Sequence, residues 1–249
     1  KIYQMTNKYM DFIANWKMFG SLNSLNSLHK VSNFFKTFKK NRLVKIIYCP
    51  PSTLIRPMSK KLKNTRIDIG AQNCHQNKNY GAFTGAINPI MLKNVGAKYV
   101  IIGHSENRQT GETNKLINLK IKTALDSGLK VIFCIGETFQ EKKKKITKKI
   151  LLKQIKSGLN KIKNKKNVLV AYEPVWSIGT GLIPKEKDLF DTISFIKKNI
   201  KNCKVIYGGS VNPKNIHLLK SISNIDGYLI GGASQDSKKF IDIIKKTYN

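Results

Sequence analysis

Residues 168–181 read VLVAYEPVWSIGTG, an apolar run that ends in one carboxylate, a proline and a glycine-rich loop. The four residues before Tyr172 are typical of a strand buried on both faces, as found in parallel sheets. Pro174 stiffens the chain directly after Glu173, and the glycines beyond it allow mobile backbone with unpaired N–H groups. This order predicts a buried parallel strand, a carboxylate at its carboxyl end and a lid.

Seven further short apolar runs alternate with helical patterns along the rest of the chain. The clearest helix has Ile117, Ile121, Ala124 and Leu125 on one face, and Ser127-Gly128 is its stop signal. Because strands joined by crossover helices pair in parallel, eight such units can close into a barrel. We predict an α/β fold, a (β/α)8 barrel of eight parallel strands enclosed by helices, in one domain over residues 1–249. Its strands are expected at residues 12–14, 44–48, 67–71, 99–102, 131–135, 168–171, 205–207 and 228–230.

The charge of the chain is strongly positive, with 46 Lys and Arg against 14 Asp and Glu, a net charge of +32. A basic nucleic-acid-binding protein is therefore one alternative. The lysines are dispersed, however, and the densest cluster, at 142–145, 148 and 149, accompanies Ile146, Ile150 and Leu151. That pattern is typical of one helix with a buried stripe and a solvated face. We therefore expect no specific nucleic-acid partner, but an attraction for small phosphorylated anions.

The cysteines and the hydropathy pattern indicate a cytosolic protein. Cys49, Cys74, Cys134 and Cys203 stand singly without C-x-x-C spacing, which predicts buried free thiols and no metal site. No run approaches the roughly 20 apolar residues of a membrane span. The N-terminal residues also lack an apolar segment with a cleavage site. We expect a cytoplasmic location and no membrane partner.

Polar residues follow the predicted strands at the points where they end. Asn15 and Lys17 follow the first strand, His104 and Glu106 the fourth, and Glu173 the sixth. In a barrel these positions converge at one rim and form a pocket suited to proton abstraction next to a carbonyl. Glu173 is the predicted base, His104 donates an N–H to the developing oxyanion, and Lys17 and Asn15 stabilise the enediolate. Glu106 either holds Lys17 by an ion pair or caps the next helix.

The glycine pairs after the seventh and eighth strands indicate how a substrate is held. Gly208-Gly209-Ser210 and Gly231-Gly232 offer backbone N–H groups to an anion, where barrels commonly bind phosphate. Ser210, Gly231 and Gly232 are therefore candidate phosphate ligands, and Gly179 in the lid adds a donor. The predicted partner is a small phosphorylated substrate.

The chain resembles the triosephosphate isomerase family from about Phe12 to the last helix. The resemblance implies a (β/α)8 barrel that interconverts dihydroxyacetone phosphate and glyceraldehyde 3-phosphate without a cofactor, with Glu173 as base and a neutral His104. Another phosphate-binding barrel isomerase would share the glycine pairs but is not expected to carry Asn15, Lys17, His104 and Glu173 together. The matching motifs are Asn15-Trp16-Lys17, Ala71-Gln72-Asn73, residues 81–85, Gly103-His104-Ser105-Glu106, Cys134-Ile135-Gly136-Glu137, residues 171–181, residues 207–211 and Gly231-Gly232-Ala233-Ser234.

The resemblance also implies a homodimer, in which the loop at about residues 72–85 inserts into the partner. Thr84 would then lie close to Asn15 and Lys17 of the partner subunit. Ala86 and Asn107 depart from the family pattern, where an acidic and a basic residue are common, so we expect one charged contact near the interface to be missing. Leu182-Ile183-Pro184 at the second hinge of the lid is another departure, and its proline restricts φ.

Overall fold

The structure, a computed structural model, describes residues 7–249. Eight strands form one closed barrel in chain order, and every neighbouring pair, including the first and last strands, is parallel. The predicted (β/α)8 barrel is therefore confirmed, with strand ends that differ by up to two residues. Residues 1–6 of the proposed single domain lie outside the described residues. The strands are β1 Met10–Asn15, β2 Val44–Cys49, β3 Asp68–Ala71, β4 Tyr99–Ile102, β5 Lys130–Ile135, β6 Val168–Tyr172, β7 Lys204–Tyr207 and β8 Gly227–Ile230.

Helices connect the strands on the outside of the barrel. The helix predicted around Ile117 runs from Asn114 to Asp126, and Gly128 follows it with φ of +82°, as a helix-stop glycine does. The α-helices are α1 Leu28–Thr37, α2 Ser52–Lys61, α3 Pro89–Asn94, α4 Ser105–Gln109, α5 Asn114–Asp126, α6 Phe139–Lys143, α7 Thr147–Gly158, α8 Glu186–Asn199, α9 Ile216–Leu219 and α10 Ser237–Tyr248.

The lysine-rich segment differs from the single helix that its pattern predicted. α6 ends at Lys143 and α7 begins at Thr147, with Lys145 between them at φ of +56°. Leu151 is fully buried, whereas Ile146 and Ile150 are only partly covered. The residue types permit one continuous helix, but the left-handed backbone of Lys145 interrupts it. The start of α6 is fixed by a capping box, in which the Thr138 and Glu141 side chains bond each other's backbone N–H groups.

Alternate residues of each strand face the two sides of the barrel wall. One buried cluster takes Ile13 from β1, Cys134 from β5, Ala171 from β6 and Leu229 from β8, and it fills the barrel. The intervening residues join the larger core that packs under the helices. Since Glu173 stands two residues beyond Ala171, it continues the inward register beyond the end of β6.

The cysteines are free thiols. Cys49, Cys74 and Cys134 are buried, as predicted, but Cys203 is only partly buried.

Within residues 7–249, no helix combines the length and apolarity that a membrane span requires.

At the amino-terminal rim of the barrel, Asp68 pairs with two lysines and gives a test of pH-dependent stability. Its carboxylate contacts Lys45 and lies 2.8 Å from Lys98 Nζ. Burial alone would raise the pKa of Asp68, but the hydrogen bonds and charges of Lys45 and Lys98 outweigh it and lower the pKa. A lowered folded-state pKa stabilises the fold above the unfolded pKa of about 3.9, and this is lost as pH falls through the folded value.

We therefore expect Asp68→Asn to lower the free energy of unfolding at pH 7 by about 1–3 kcal/mol. The difference in unfolding free energy from the wild type should shrink as the pH falls below 4. Urea denaturation at pH 7 and at a pH below 4 measures this difference. Asp242→Asn is the control, because the Asp242–Lys246 pair is an exposed helix pair worth roughly 0.5 kcal/mol or less. If Asp68→Asn lowers the free energy of unfolding equally at the two pH values, the proposed link between the Asp68 pKa and stability is wrong.

Candidate active site

Eight of the predicted site residues line one cavity of about 310 Å³ at the carboxyl ends of the strands. Glu106 lies beside this cavity in contact with Lys17, whereas Thr84 is exposed on the loop between β3 and α3. The sequence pattern therefore groups these eight side chains and backbone segments as the fold does. They are Asn15, Lys17, His104, Glu173, Gly179, Ser210, Gly231 and Gly232.

Glu173 is seated in the cavity by backbone contacts and by two glycines. Its N–H donates to the Ile135 carbonyl at 2.8 Å. A Cβ on Gly136 would lie 1.8 Å from the Glu173 carbonyl oxygen, and one on Gly208 would lie 2.7 Å from Glu173 Cγ. Because no side chain fits at either place, the two glycines allow the close approach that fixes the carboxylate.

The Glu173 carboxylate is buried with spare capacity to accept a proton. The side chain is about 5% exposed, and Oε1 lies 3.5 Å from His104 Nε2. Oε2 has no hydrogen-bond partner among residues 7–249. The Cys134 thiol bonds the same carboxylate, and burial followed by the Glu173 charge raises the pKa of Cys134, so the thiol keeps its proton. A buried carboxylate with an unpaired oxygen is equipped to accept a proton from a bound molecule.

The orientation of His104 follows from its position at the start of α4. His104 is the N-cap residue, and its Nδ1 accepts the Glu106 backbone N–H at 3.2 Å. A ring whose Nδ1 accepts a hydrogen bond carries its hydrogen on Nε2 when neutral. The cavity therefore receives an N–H donor from His104, next to the Glu173 carboxylate.

Lys17 is held in a strained backbone conformation. Its φ is +54°, its N–H donates to Asn15 Oδ1 at 3.1 Å and its carbonyl accepts from Gln72 Nε2 at 2.8 Å. A left-handed non-glycine residue persists only where its surroundings fix it, and such residues cluster at functional sites. The strain therefore places an ammonium group in the cavity at a fixed position.

Glu106 pairs with Lys17, and the alternative role of helix cap belongs to His104. Lys17 Nζ lies 2.6 Å from Glu106 Oε1. Burial would raise the pKa of Glu106, but the Lys17 hydrogen bond and the nearby charges of His104 and Lys17 outweigh it and lower the pKa. Glu106 is therefore ionised at neutral pH and orients the Lys17 ammonium group.

The opposite side of the cavity offers backbone donors. The N–H groups of Gly179, Ser210, Gly231 and Gly232 have no acceptor within the described part of the chain. Ser210 is left-handed, with φ of +44°, and a 3-10 helix begins at Gly232. Several free N–H groups in one concave surface form an anion site.

A glycine-rich loop closes over this anion site, and we name residues 175–184 the lid. Gly179 and Gly181 have φ of +74° and +78°, and the Gly181 N–H donates to Ser210 Oγ at 3.1 Å. At the base of the lid, Trp176 Nε1 donates to Glu137 Oε1 at 2.9 Å. Burial raises the pKa of Glu137, although the Trp176 and Tyr172 hydrogen bonds oppose the rise.

Sequence reasoning missed several groups that shape this site. Cys134 contacts the Glu173 carboxylate, Gln235 lines the cavity, and Ser177, inside the lid, bonds the Leu182 carbonyl and the Tyr207 hydroxyl. The alternation of β5 could have identified Cys134, because it shares the inward register of Ile132. Ser177 and Gln235 lie in irregular segments, where no periodic signal exists.

Two of the departures from the family pattern face a second cavity. Ala86 and Asn107 both line a space of about 460 Å³ that shares Asn15, Lys17 and His104 with the first cavity. Neither residue carries a charge. This second cavity is therefore an open extension of the site on the side of the β3–α3 loop.

The fold and the site define a (β/α)8-barrel protein with a carboxylate, an imidazole and an ammonium group at the mouth where enzymes of this fold act. The sequence profile of the family described as triosephosphate isomerase matches residues 11–247, and the chain belongs to that family.

Known relatives agree over nearly the whole chain. The triosephosphate isomerase of Dictyoglomus thermophilum is 42% identical over 244 residues, which cover 93% of this chain and 97% of the relative. That of Wolbachia pipientis is 42% identical over 236 residues, covering 94% and 92%. The crystal structure of triosephosphate isomerase from Bartonella henselae superimposes with a TM-score of 0.88 at 32% identity, covering 97% of this chain and all of that one.

Proposed function

We propose that this protein interconverts dihydroxyacetone phosphate and D-glyceraldehyde 3-phosphate through an enediolate, the isomerase step of glycolysis and gluconeogenesis. The observation that carries the proposal is the position of Glu173, His104 and Lys17 around one cavity that also holds free backbone N–H donors. Family membership favours this reaction over that of other phosphate-binding barrel isomerases.

In the proposed mechanism Glu173 removes a proton from the carbon next to the substrate carbonyl. The electron pair of the broken C–H bond forms the enediolate double bond, and the carbonyl oxygen becomes negative. His104 Nε2–H and the Lys17 ammonium group stabilise that oxygen, with Asn15 as an amide donor. Protonated Glu173 then returns the proton to the adjacent carbon, and His104 assists the transfer of a proton between the two oxygens.

The substrate phosphate occupies the anion site of Gly179, Ser210, Gly231 and Gly232 in this proposal. The lid covers the enediolate, because an exposed enediolate eliminates its phosphate and water weakens the electrostatic stabilisation. The proton and the electron pair remain between enzyme and substrate, so the proposed reaction requires no electron carrier. The free cysteines fit our proposal that the protein works in the reducing cytoplasm.

A coupled assay tests the reaction directly. Glyceraldehyde 3-phosphate is supplied, and glycerol-3-phosphate dehydrogenase reports formation of dihydroxyacetone phosphate by oxidation of NADH. We expect rapid turnover without added metal or cofactor. Absence of isomerisation by folded protein at micromolar concentration would refute the proposed function.

We further propose that the active form is a homodimer. The β3–α3 loop projects Tyr80, Phe83 and Thr84 into solvent, and the open second cavity adjoins Lys17. Exposed apolar side chains beside an open cavity are typical of an interface. A second copy would insert its Thr84 segment into this cavity and cover the outer side of Lys17.

Thr84→Lys is expected to weaken this dimer and lower activity at low protein concentration. The new ammonium group would approach Lys17 of the partner subunit, and like charges at an interface repel. Sedimentation and a dilution series of the isomerase assay measure the effect. Thr37→Lys, at the end of α1, is the matched control, since it adds the same charge at another exposed threonine. A monomeric wild type with full activity would contradict the proposal.

A further inference from the structure

Ser177 lies in the first half of the lid and makes hydrogen bonds to the second half and to the neighbouring strand segment. It ends the 3-10 helix Val175–Ser177 and is fully buried. Its Oγ donates to the Leu182 carbonyl at 2.5 Å, and its own carbonyl accepts from Ser210 Oγ. One residue thus ties the first half of the lid to the second half and to the segment after β7.

The direction of the hydrogen bonds at Ser177 can be assigned by counting donors. Ser177 Oγ also lies 3.2 Å from the Tyr207 hydroxyl oxygen. A serine hydroxyl has one hydrogen, and here it goes to the Leu182 carbonyl, so Tyr207 must donate to Ser177. Burial raises the pKa of Tyr207, which therefore keeps its hydroxyl proton. The result is a relay from Tyr207 through Ser177 to Leu182.

The surroundings leave this relay little freedom. A Cβ on Gly209 would lie 2.3 Å from the Tyr207 hydroxyl and 2.5 Å from Ser177 Oγ, so the pair packs directly against that glycine.

We infer that Ser177 is a positioning residue, whose hydroxyl holds the lid over the anion site by relaying the Tyr207 hydrogen bond to Leu182. Ser177 does not line the cavity, whereas Ile178, Gly179 and Gly181 do. Ser177 therefore acts on a bound anion only through these three residues. The inference rests on the proposed function for its catalytic consequence, but the holding of the lid itself is independent of the reaction.

The consequence differs from a general loss of stability. When the relay is broken, the lid opens more often and the enediolate is exposed to water. Elimination of phosphate then competes with return of the proton. The fraction of turnovers that release inorganic phosphate should rise, a quantity that depends on closure rather than on the amount of folded enzyme.

The test uses Ser177→Ala, with Ser127→Ala as matched control, because Ser127 is a buried serine whose hydroxyl bonds only within its own helix region. For Ser177→Ala we expect kcat/KM and the affinity for inorganic phosphate to fall roughly tenfold, the effect of losing about one buried hydrogen bond. Phosphate release per isomerisation should rise. Ser127→Ala should change none of these three quantities.

A second pair of variants keeps the inference testable if Ser177→Ala folds poorly. Tyr207→Phe should shift the same quantities in the same direction, and the double variant should be no worse than Ser177→Ala alone. Tyr228→Phe is its control, since Tyr228 is equally buried and its hydroxyl has no partner among residues 7–249.

The outcomes separate this inference from the proposed function. A wild type that fails to isomerise but binds inorganic phosphate in a Ser177-dependent way would refute the proposed function and support the lid relay. An active wild type with unchanged phosphate affinity and unchanged phosphate release in Ser177→Ala and Tyr207→Phe would overturn the relay. Failure of the wild type to bind inorganic phosphate would also overturn it.

Discussion

Glu173→Gln is expected to lower kcat by roughly 10²–10⁴-fold, the contribution of a positioned general base. The amide has the shape of the carboxylate and should keep the close contact with Gly208, but it cannot take a proton from carbon. Because the lost interaction belongs to the transition state, kcat and kcat/KM should fall together. The coupled assay under saturating and limiting substrate measures both quantities.

Glu173→Asp is the graded control for this prediction. It keeps the carboxylate and withdraws it by about one methylene, so activity should lie between that of the wild type and Glu173→Gln. Unfolding curves of all three proteins check that the buried site remains folded. Near-normal turnover in Glu173→Gln would remove this residue as the base.

His104→Phe should lower kcat by roughly 10²–10³-fold, the effect of removing one oxyanion donor. Phenylalanine keeps a ring in the same place but lacks both the Nε2–H directed into the cavity and the Nδ1 acceptor at the start of α4. We expect a change mainly in kcat, since the donor acts on charge that develops during the reaction. The same assay separates kcat from KM.

Glu106→Gln is the comparison for His104→Phe. It leaves the backbone N–H that His104 caps in place and weakens the contact with Lys17. We expect a smaller loss of activity, in the range of a surface ion pair, because the Glu106 side chain is about half exposed. A raised KM at unchanged kcat in His104→Phe would instead indicate that the ring only binds substrate.

Much of the site could be predicted because, in a parallel barrel, the residues that follow each strand lie at the same rim. Each strand end contributes one or two side chains to the same rim, so Asn15, His104 and Glu173 meet although they are far apart along the chain. The glycines at 208 and 231 follow strand ends for the same reason. Here the local pattern and the tertiary arrangement agree.

The break at Lys145 and the role of Cys134 could not be read from residue types alone. The segment around Lys145 has a helical pattern throughout, yet α6 ends at Lys143, Lys145 has a left-handed backbone, and α7 begins at Thr147. Cys134 reaches Glu173 because β5 and β6 are neighbours in register. The break at Lys145 leaves no periodic signal. The alternation of β5 indicates that Cys134 faces inward, but its contact with Glu173 depends on which strands pack together.

By itself the sequence determined the eight alternating units, their parallel pairing and the residues that follow each strand, because hydrophobic periodicity and chain connectivity are local properties. Only the tertiary structure decided that Glu106 pairs with Lys17 while His104 caps α4, and only it revealed the free backbone donors and the Tyr207–Ser177–Leu182 relay. These contacts join segments that are distant or irregular in the chain. Their geometry is set by the packing of the whole barrel, which brings each donor within reach of a particular acceptor.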